Sequence, residues 1–284
     1  MYIIARYLIL STASLIISMG VTLANEQAPN ELTFGLYQSD KATEMHRKFK
    51  PIIDYLSQEV SRLSESPTEL KLKIYKSYQG ANDALVTGEV DFVRFGPASY
   101  ILAKNKQPNI QLLAMEEKKG KTRFNGLIVV SKNSSIKTLS DLNGHSFAFG
   151  NINSTIGRYL AQSELIKVGV TSSSISKLAF LGRHDKVFKA VELGDYDAGS
   201  LKESTFKKMN KKGQLRVLHS FENITKPWIA RAHLSPKIFK AVSTALIELS
   251  DPNILKQFKV SGFVAVNDSD YRYVREGIIK AKQF

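Results

Sequence analysis

Two stretches of this chain repeat one another. "SYQGANDALVTGEVDF", residues 77–92, and "RHDKVFKAVELGDYDA", residues 183–198, align at a constant offset of 106. Ala84 then pairs with Ala190, Leu85 with Val191, Gly88 with Gly194 and Asp91 with Asp197. Each copy reads as a helix, a glycine that ends it, a short turn and a strand. A chain that winds this way twice is constrained toward two similar α/β halves. Each half would present one large polar ring, Tyr78 or His184, at the entrance of its helix.

The rest of the sequence fits that frame. "LTFGLY" at 32–37 and "LKLKIY" at 70–75 alternate as strands do. Between them Met45, Phe49, Ile52, Ile53, Leu56 and Val60 recur at helical spacing, with Pro51 predicting a kink. A helix over 80–87, a strand over 90–93 and a helix over 97–104 follow, then the strands "IQLLAM" and "NGLIVVS". Strand and helix alternate from Phe147 to Leu218, and two helices, 235–249 and 269–281, close the chain. This is an α/β pattern of mostly parallel sheets flanked by helices. Sheets of this kind bind ligands beyond the carboxyl ends of their strands, where helix N-termini converge.

The first 24 residues stand apart from the fold. Arg6 precedes the apolar run "YLILSTASLIISMGVTLA", and Thr22 and Ala24 offer small residues before Asn25. This reads as a secretory signal peptide, with an uncleaved membrane anchor as the alternative. The chain has no cysteine, which excludes disulfides, thiol catalysis, thiolate metal sites and a lipid-anchored cysteine. The formal charge is +14, or +13 without Arg6, with clusters at "EEKKGK" and "KKMNKK". Such a field draws in anions, although a basic surface can also be merely solvated. No nucleic-acid motif accompanies it, so nucleic acid is not expected as a partner. His46, His145, His219 and His233 stand alone, without metal-ligand spacing, and no nucleophile or phosphate-loop motif occurs. No metal, cofactor or catalytic residue is expected.

The candidate binding residues cluster at helix entrances. In "GNINSTIGRYL", residues 150–160, Ser154 and Thr155 precede Gly157, and the first turn carries no acid. The stretch can be a plain N-cap, or a cup in which free amides and two hydroxyls hold an anion. His184 and the cap candidate Asp185 open the helix of the second repeat, where the imidazole could face an oxyanion or simply lie on the surface. "RFGPASY" sets Gly96 and Pro97 at a helix start and offers Ser99 as a further donor. Tyr37 and Tyr78 follow strand ends and can line a cleft or pack in the core.

Taken together, "LTFGLYQ", "SYQGANDALVTGEVDFVRFGPASY", "NSTIGRYL" and "RHDKVFKAVELGDYDAG" resemble the PhnD-like family, the phosphate-, phosphite- and phosphonate-binding periplasmic proteins of ABC importers. The similarity runs over about residues 31–280. It implies a two-lobed type II periplasmic binding fold: residues 1–24 as signal peptide, 30–121 with 226–284 as lobe 1, and 122–225 as lobe 2. Two crossover segments would join the lobes around a small oxyanion. A monomer in the periplasm is expected, without enzymatic activity, that serves an ABC permease or, alternatively, a membrane sensor. The implied ligand residues are Tyr37, Tyr78, Phe95, Ser99, Ser154, Thr155, Gly157, His184 and Glu203. Three positions bear on ligand identity. The family's third cup hydroxyl is Ile156 here, and an aromatic that is often tyrosine is Phe95. The acid that can hold a ligand's amino group falls near Glu203. A different small anion, such as a sulfonate or carboxylate, stays open.

Overall fold

The computed structural model describes residues 30–38 and 42–284. The N-terminal leader lies outside the described residues. The first four strands are β1 (Asn30–Tyr37), β2 (Thr68–Tyr75), β3 (Phe92–Arg94) and β4 (Gln111–Glu117). The chain then crosses into a second sheet of β5 (Arg123–Ser131), β6 (Ser146–Phe149), β7 (Lys177–Phe180), β8 (Ala198–Lys202) and β9 (Leu215–Ile224). It returns to the first sheet with β10 (Pro227–Ala230) and β11 (Gly262–Val264). The helices are α1 (Ala42–Ser64), α2 (Tyr78–Thr87), α3 (Pro97–Lys106), α4 (Ala161–Lys167), α5 (His184–Glu192), α6 (Glu203–Met209), α7 (Pro236–Glu248), α8 (Pro252–Phe258) and α9 (Arg272–Lys280). None is long and apolar enough to cross a membrane.

The repeat seen in the sequence is a repeat of topology. In the first sheet β3, β1 and β2 lie in that order, all parallel; in the second, β8, β6 and β7 do the same. Gly88 and Gly194 both adopt the left-handed conformation, at φ 80° and 81°, which only glycine enters without steric cost. The amide that follows each glycine bonds back to the helix, Glu89 to Ala84 and Asp195 to Ala190. The two aspartates then act alike. Asp91 accepts the Thr33 amide at 2.8 Å, and Asp197 accepts the Ser146 amide at 2.8 Å. Each ties the start of one parallel strand to the turn entering its neighbour.

The sheets are mixed rather than mostly parallel. β5 runs antiparallel to β8 and β9, and β10 runs antiparallel to β3 and β4. These are the strands that leave or re-enter a sheet at the two crossovers, so they travel against the wound strands. The crossovers are bonded to each other: Thr225 N–H donates to Thr122 O at 2.7 Å, and Glu116 N–H to Lys226 O at 3.1 Å.

The first sheet is filled by an aromatic pile. Trp228 stacks on Phe34 with centroids 4.6 Å apart and meets Phe263 edge-on. Helix α1 covers it and runs continuously through Pro51. Proline cannot donate to the carbonyl four residues back. That carbonyl, on Arg47, instead accepts the Gln257 side-chain amide of α8 at 2.7 Å. Helix α8 and strand β11 occupy a stretch for which the sequence pattern predicted no element. Helix α9 touches both halves. It packs on α3, and it also reaches the second half, where Tyr273 Oη donates to Glu164 at 3.0 Å and Gly277 faces Leu160.

Gly126 in β5 is required for close approach. A Cβ there would strike the buried Phe221 ring and lie 2.9 Å from Ile156 Cγ2. Gly126→Ala is therefore expected to cost about 1–3 kcal/mol, measured as a lowered urea midpoint with an unchanged m-value.

Candidate functional site

Five helical N-termini meet between the two sheets. Tyr78 opens α2, Gly96 and Pro97 open α3, Ser154 and Thr155 open a π-helical turn over Thr155–Leu160, His184 opens α5, and Lys202 caps α6. All of these residues line one cavity of about 80 Å³, together with Tyr37, Phe124, Asn153, Ile156, Asn223 and Lys226. One water needs roughly 10–15 Å³ on such a measure, so a small polyatomic ligand fits. Each helical N-terminus contributes a partial positive charge.

On the first-sheet side, Tyr37 is the anchor. It is buried at the end of β1 and stacks on Tyr78 with centroids 3.7 Å apart. Its hydroxyl accepts Gly96 N–H at 3.0 Å and Lys226 Nζ at 3.2 Å. Burial raises the phenol pKa of Tyr37, and burial raises that of Tyr78 further, so both stay protonated donors. The sheets are linked directly where Thr155 Oγ1 accepts the Ala98 N–H at 2.9 Å.

Ser154 is an N-cap in fact: its Oγ accepts Gly157 N–H at 2.9 Å. A hydroxyl that accepts there still has its own proton to donate. The turn is π-helical because Tyr159 N–H reaches back to Ser154 O at 3.2 Å, a local insertion frequent at binding sites. Gly157 does not line the cavity. It lets two backbones cross, since a Cβ there would lie 2.9 Å from Gly150 Cα. Its carbonyl accepts Gly150 N–H at 2.8 Å and Ser200 Oγ at 3.0 Å.

His184 lines the cavity with its Nδ1 buried and without a partner. Burial, then the charges of Lys202 and Lys226, lower its pKa to about 4, against a backbone hydrogen bond at Ser200. The ring is therefore neutral at neutral pH and carries one N–H, for which the Ser200 carbonyl competes. Asp185, expected as the helix cap, lies instead within the first turn and takes the Arg183 guanidinium, whose Nε is 2.9 Å away. Arg183 holds the cap position.

The strongest electrostatic feature was not read from the sequence. Lys202 and Lys226 both line the cavity, and among the described residues neither makes an ion pair. Lys202 Nζ lies over the Phe124 ring at 4.9 Å, and Lys226 Nζ over Tyr37 at 5.2 Å. Burial, then the charges of Lys118 and Lys226, lower the Lys202 pKa to about 7, with Glu116 opposing. Burial and Arg94 likewise push Lys226 well below the usual lysine range. The nearby acid is Glu116, fully buried and bonded to Arg94 Nε, with Lys118 Nζ 3.5 Å away. Burial alone would raise its pKa, but Arg94 and Lys118 outweigh that and hold it at about 2.

The structure thus brings Tyr37, Tyr78, Ser154, Thr155 and His184 into the cavity wall. Phe95 is fully buried beneath Tyr37, with centroids 5.9 Å apart, and Ser99 is buried in α3; neither lines the cavity. Glu203 turns away from it and pairs with Lys207 at 2.6 Å. The side chain that faces the cleft is its neighbour Lys202. The offset of 106 held the signal for it, because it matches Lys202 to Gly96, and both are helix caps on the cavity wall. Lys226, Asn223, Asn153 and Phe124 carried no local pattern that would have singled them out.

The model of a family described as "ABC transporter, phosphonate, periplasmic substrate-binding protein" matches residues 34–271. The chain belongs to this family. A Prochlorococcus marinus protein described as "Probable ABC transporter phosphite binding protein PhnD1" is 26% identical over 271 residues, 87% of this chain and 89% of that protein. The phosphate-import protein PhnD of Mycolicibacterium smegmatis is 24% identical over 286 residues, 88% of this chain and 85% of that protein. The structure of PhnD1 with methylphosphonate matches with a TM-score of 0.74 at 23% identity, over 90% of this chain and 100% of that one. Members of this family bind a small ligand in the periplasm and work with a permease; they are transport proteins.

The depressed pKa of Lys202 has a measurable consequence. An anion beside Lys202 favours its charged form, so binding raises the pKa from about 7 and takes up a proton. Below that pH this lysine leaves affinity flat. Above it, affinity falls by up to about tenfold per pH unit until the bound-state pKa is passed. Calorimetry with methylphosphonate at pH 8, in buffers of different ionisation enthalpy, should show more proton uptake in the wild type than in Lys202→Met. The ligand's own titration is common to both proteins and cancels.

Proposed function

We propose that this protein captures a phosphonate- or phosphate-like oxyanion between two lobes, residues 30–121 with 226–284 and residues 122–225, and delivers it to an ABC importer. The observation that carries this reading is the pair of lysines without carboxylate partners, Lys202 and Lys226, at the meeting point of five helical N-termini. Amides, hydroxyls and ammonium groups converge there, and the nearby carboxylate is already committed to Arg94 and Lys118. A bound oxyanion supplies the missing negative charge. Ser154 Oγ, the neutral His184 ring, Tyr78 and the two lysines are its donors. The protein acts as a monomer in the periplasm once residues 1–24 are removed. It binds without chemistry, and His184 serves as a donor rather than a base.

Capture works by closure. The second-half residues Ser154, Thr155, His184 and Lys202 must meet Tyr37, Tyr78 and the α3 entrance across the cleft. The hydrogen bond from Ala98 N–H to Thr155 Oγ1 is one link of the closed form. An anion that bonds to both sides favours that form by its differential affinity, and the permease reads it.

A thermal-shift screen over phosphate, phosphite, methylphosphonate, methanesulfonate and acetate tests the ligand class. At least one phosphorus oxyanion should raise the melting temperature in a concentration-dependent way, and a response to sulfonate or carboxylate alone would overturn the assignment. The double variant Ser154→Ala, His184→Ala should bind about 10²–10⁴-fold more weakly by calorimetry, from two charge-assisted hydrogen bonds of roughly 1.5–3 kcal/mol each. Unchanged affinity in a folded double variant would refute the site.

A further inference from the structure

The oxyanion reading leaves one substituent on phosphorus undefined, and the charges around the cavity bear on it. This step rests on that reading. The second-sheet wall is built from Phe124 on β5, Lys202 at the end of β8 and Asn223 on β9. Phe124 serves as a platform for cations: Lys202 Nζ lies 4.9 Å and Lys118 Nζ 5.7 Å from its ring centroid. Lys226 Nζ reaches in from the crossover, 3.2 Å from the Tyr37 hydroxyl. Aromatic faces hold these ammonium groups in place without cancelling their charge.

A ligand carrying an ammonium would need a carboxylate here, and among the described residues none that lines the cavity is free. Glu116 is fully buried and shared by Arg94 and Lys118. Glu203 pairs with Lys207 outside the cavity. Asn223 Oδ1 is buried without a partner, but a neutral amide oxygen cannot offset two lysines whose ammonium form the bound oxyanion favours. Like charges brought together in a water-poor cleft cost far more than they do in bulk water.

We infer that the protein selects phosphorus oxyanions whose remaining substituent is anionic or a hydrogen-bond acceptor, and that it rejects those bearing an ammonium. Lys202 is the specificity-determining residue: it donates to the acceptor or repels the cation, and Lys226 reinforces it.

Three probes of similar length test this by calorimetry: phosphonoacetate, ethylphosphonate and 2-aminoethylphosphonate. Affinity should fall in that order, with 2-aminoethylphosphonate at least about tenfold weaker than ethylphosphonate. Lys202→Met should narrow the spread between the carboxylate and ammonium probes, and Lys202→Glu should reverse it. Circular dichroism establishes that the variants are folded; the order in the wild type is decisive without them. If 2-aminoethylphosphonate binds as well as ethylphosphonate, or if folded Lys202→Met keeps the wild-type ratio, the inference is overturned while the oxyanion reading stands. If none of the three probes binds, and neither phosphate, phosphite nor methylphosphonate does, the oxyanion reading falls and takes the inference with it.

Discussion

Glu116 brings one buried negative charge to the place where the chain passes between its two sheets. Its amide donates to Lys226 O at 3.1 Å, and its carbonyl accepts the Thr225 hydroxyl, so its backbone joins the two crossovers. Its carboxylate holds Arg94 and Lys118. Removing one partner from such a buried group is costly, because the other charge is left uncompensated. The residue that fixes the geometry of the hinge is therefore also the residue that sets its charge. Arg94 and Lys118 act electrostatically on both Lys202 and Lys226, and Lys226 acts on Lys202; one carboxylate cannot balance four basic groups.

That imbalance is what suits the cleft to an anion. Helical N-termini alone attract anions weakly and over a short range. Paired hydroxyls alone are satisfied by local caps, as Ser154 is by Gly157 N–H. The lysines add basic groups that no carboxylate pairs among the described residues, and their mutual repulsion assists burial, the larger cause, in depressing Lys202 and in keeping His184 neutral. The free protein thus carries an unfavourable electrostatic term at the hinge that a bound oxyanion relieves. Under the proposed mechanism, closing the lobes and neutralising the cleft become one event, which would make the closed form depend on ligand.

The fold was legible because its determinants are local and repeated. The left-handed glycines and the strand-tying aspartates of the two halves occur at one offset, so the winding could be read without contacts. The site was legible where a residue type and a helix entrance coincide, as at Ser154, Thr155, Tyr78 and His184. It failed where the direction of a side chain decides. Lys202 and Glu203 are adjacent at the junction of β8 and α6, and only one of them faces the cavity. Moving one residue along a strand reverses the face a side chain points to, so a correct motif with a one-residue uncertainty exchanged a cation for an acid. Phe95 failed in a related way. It lies between β3 and Gly96, yet its ring turns into the core under Tyr37 while the glycine lines the cavity. Lys226 had no signal at all, being one of 40 lysines and arginines and distinguished only by where the second crossover returns.

Ile156 shows how these effects combine. Its place in the cup belongs, by resemblance, to a hydroxyl that would donate one hydrogen bond to the ligand. Here the side chain is buried in the second-half core, against Phe221 and over the space that Gly126 leaves open. The three residues form a packing unit in which the glycine makes room for the ring and the isoleucine closes over both. A hydroxyl at 156 would donate less than is already present, because an ammonium offers three protons and a full charge where a hydroxyl offers one. Position 156 thus serves packing, and under the proposed reading the charge of Lys202 and Lys226, rather than a third hydroxyl, would select the ligand.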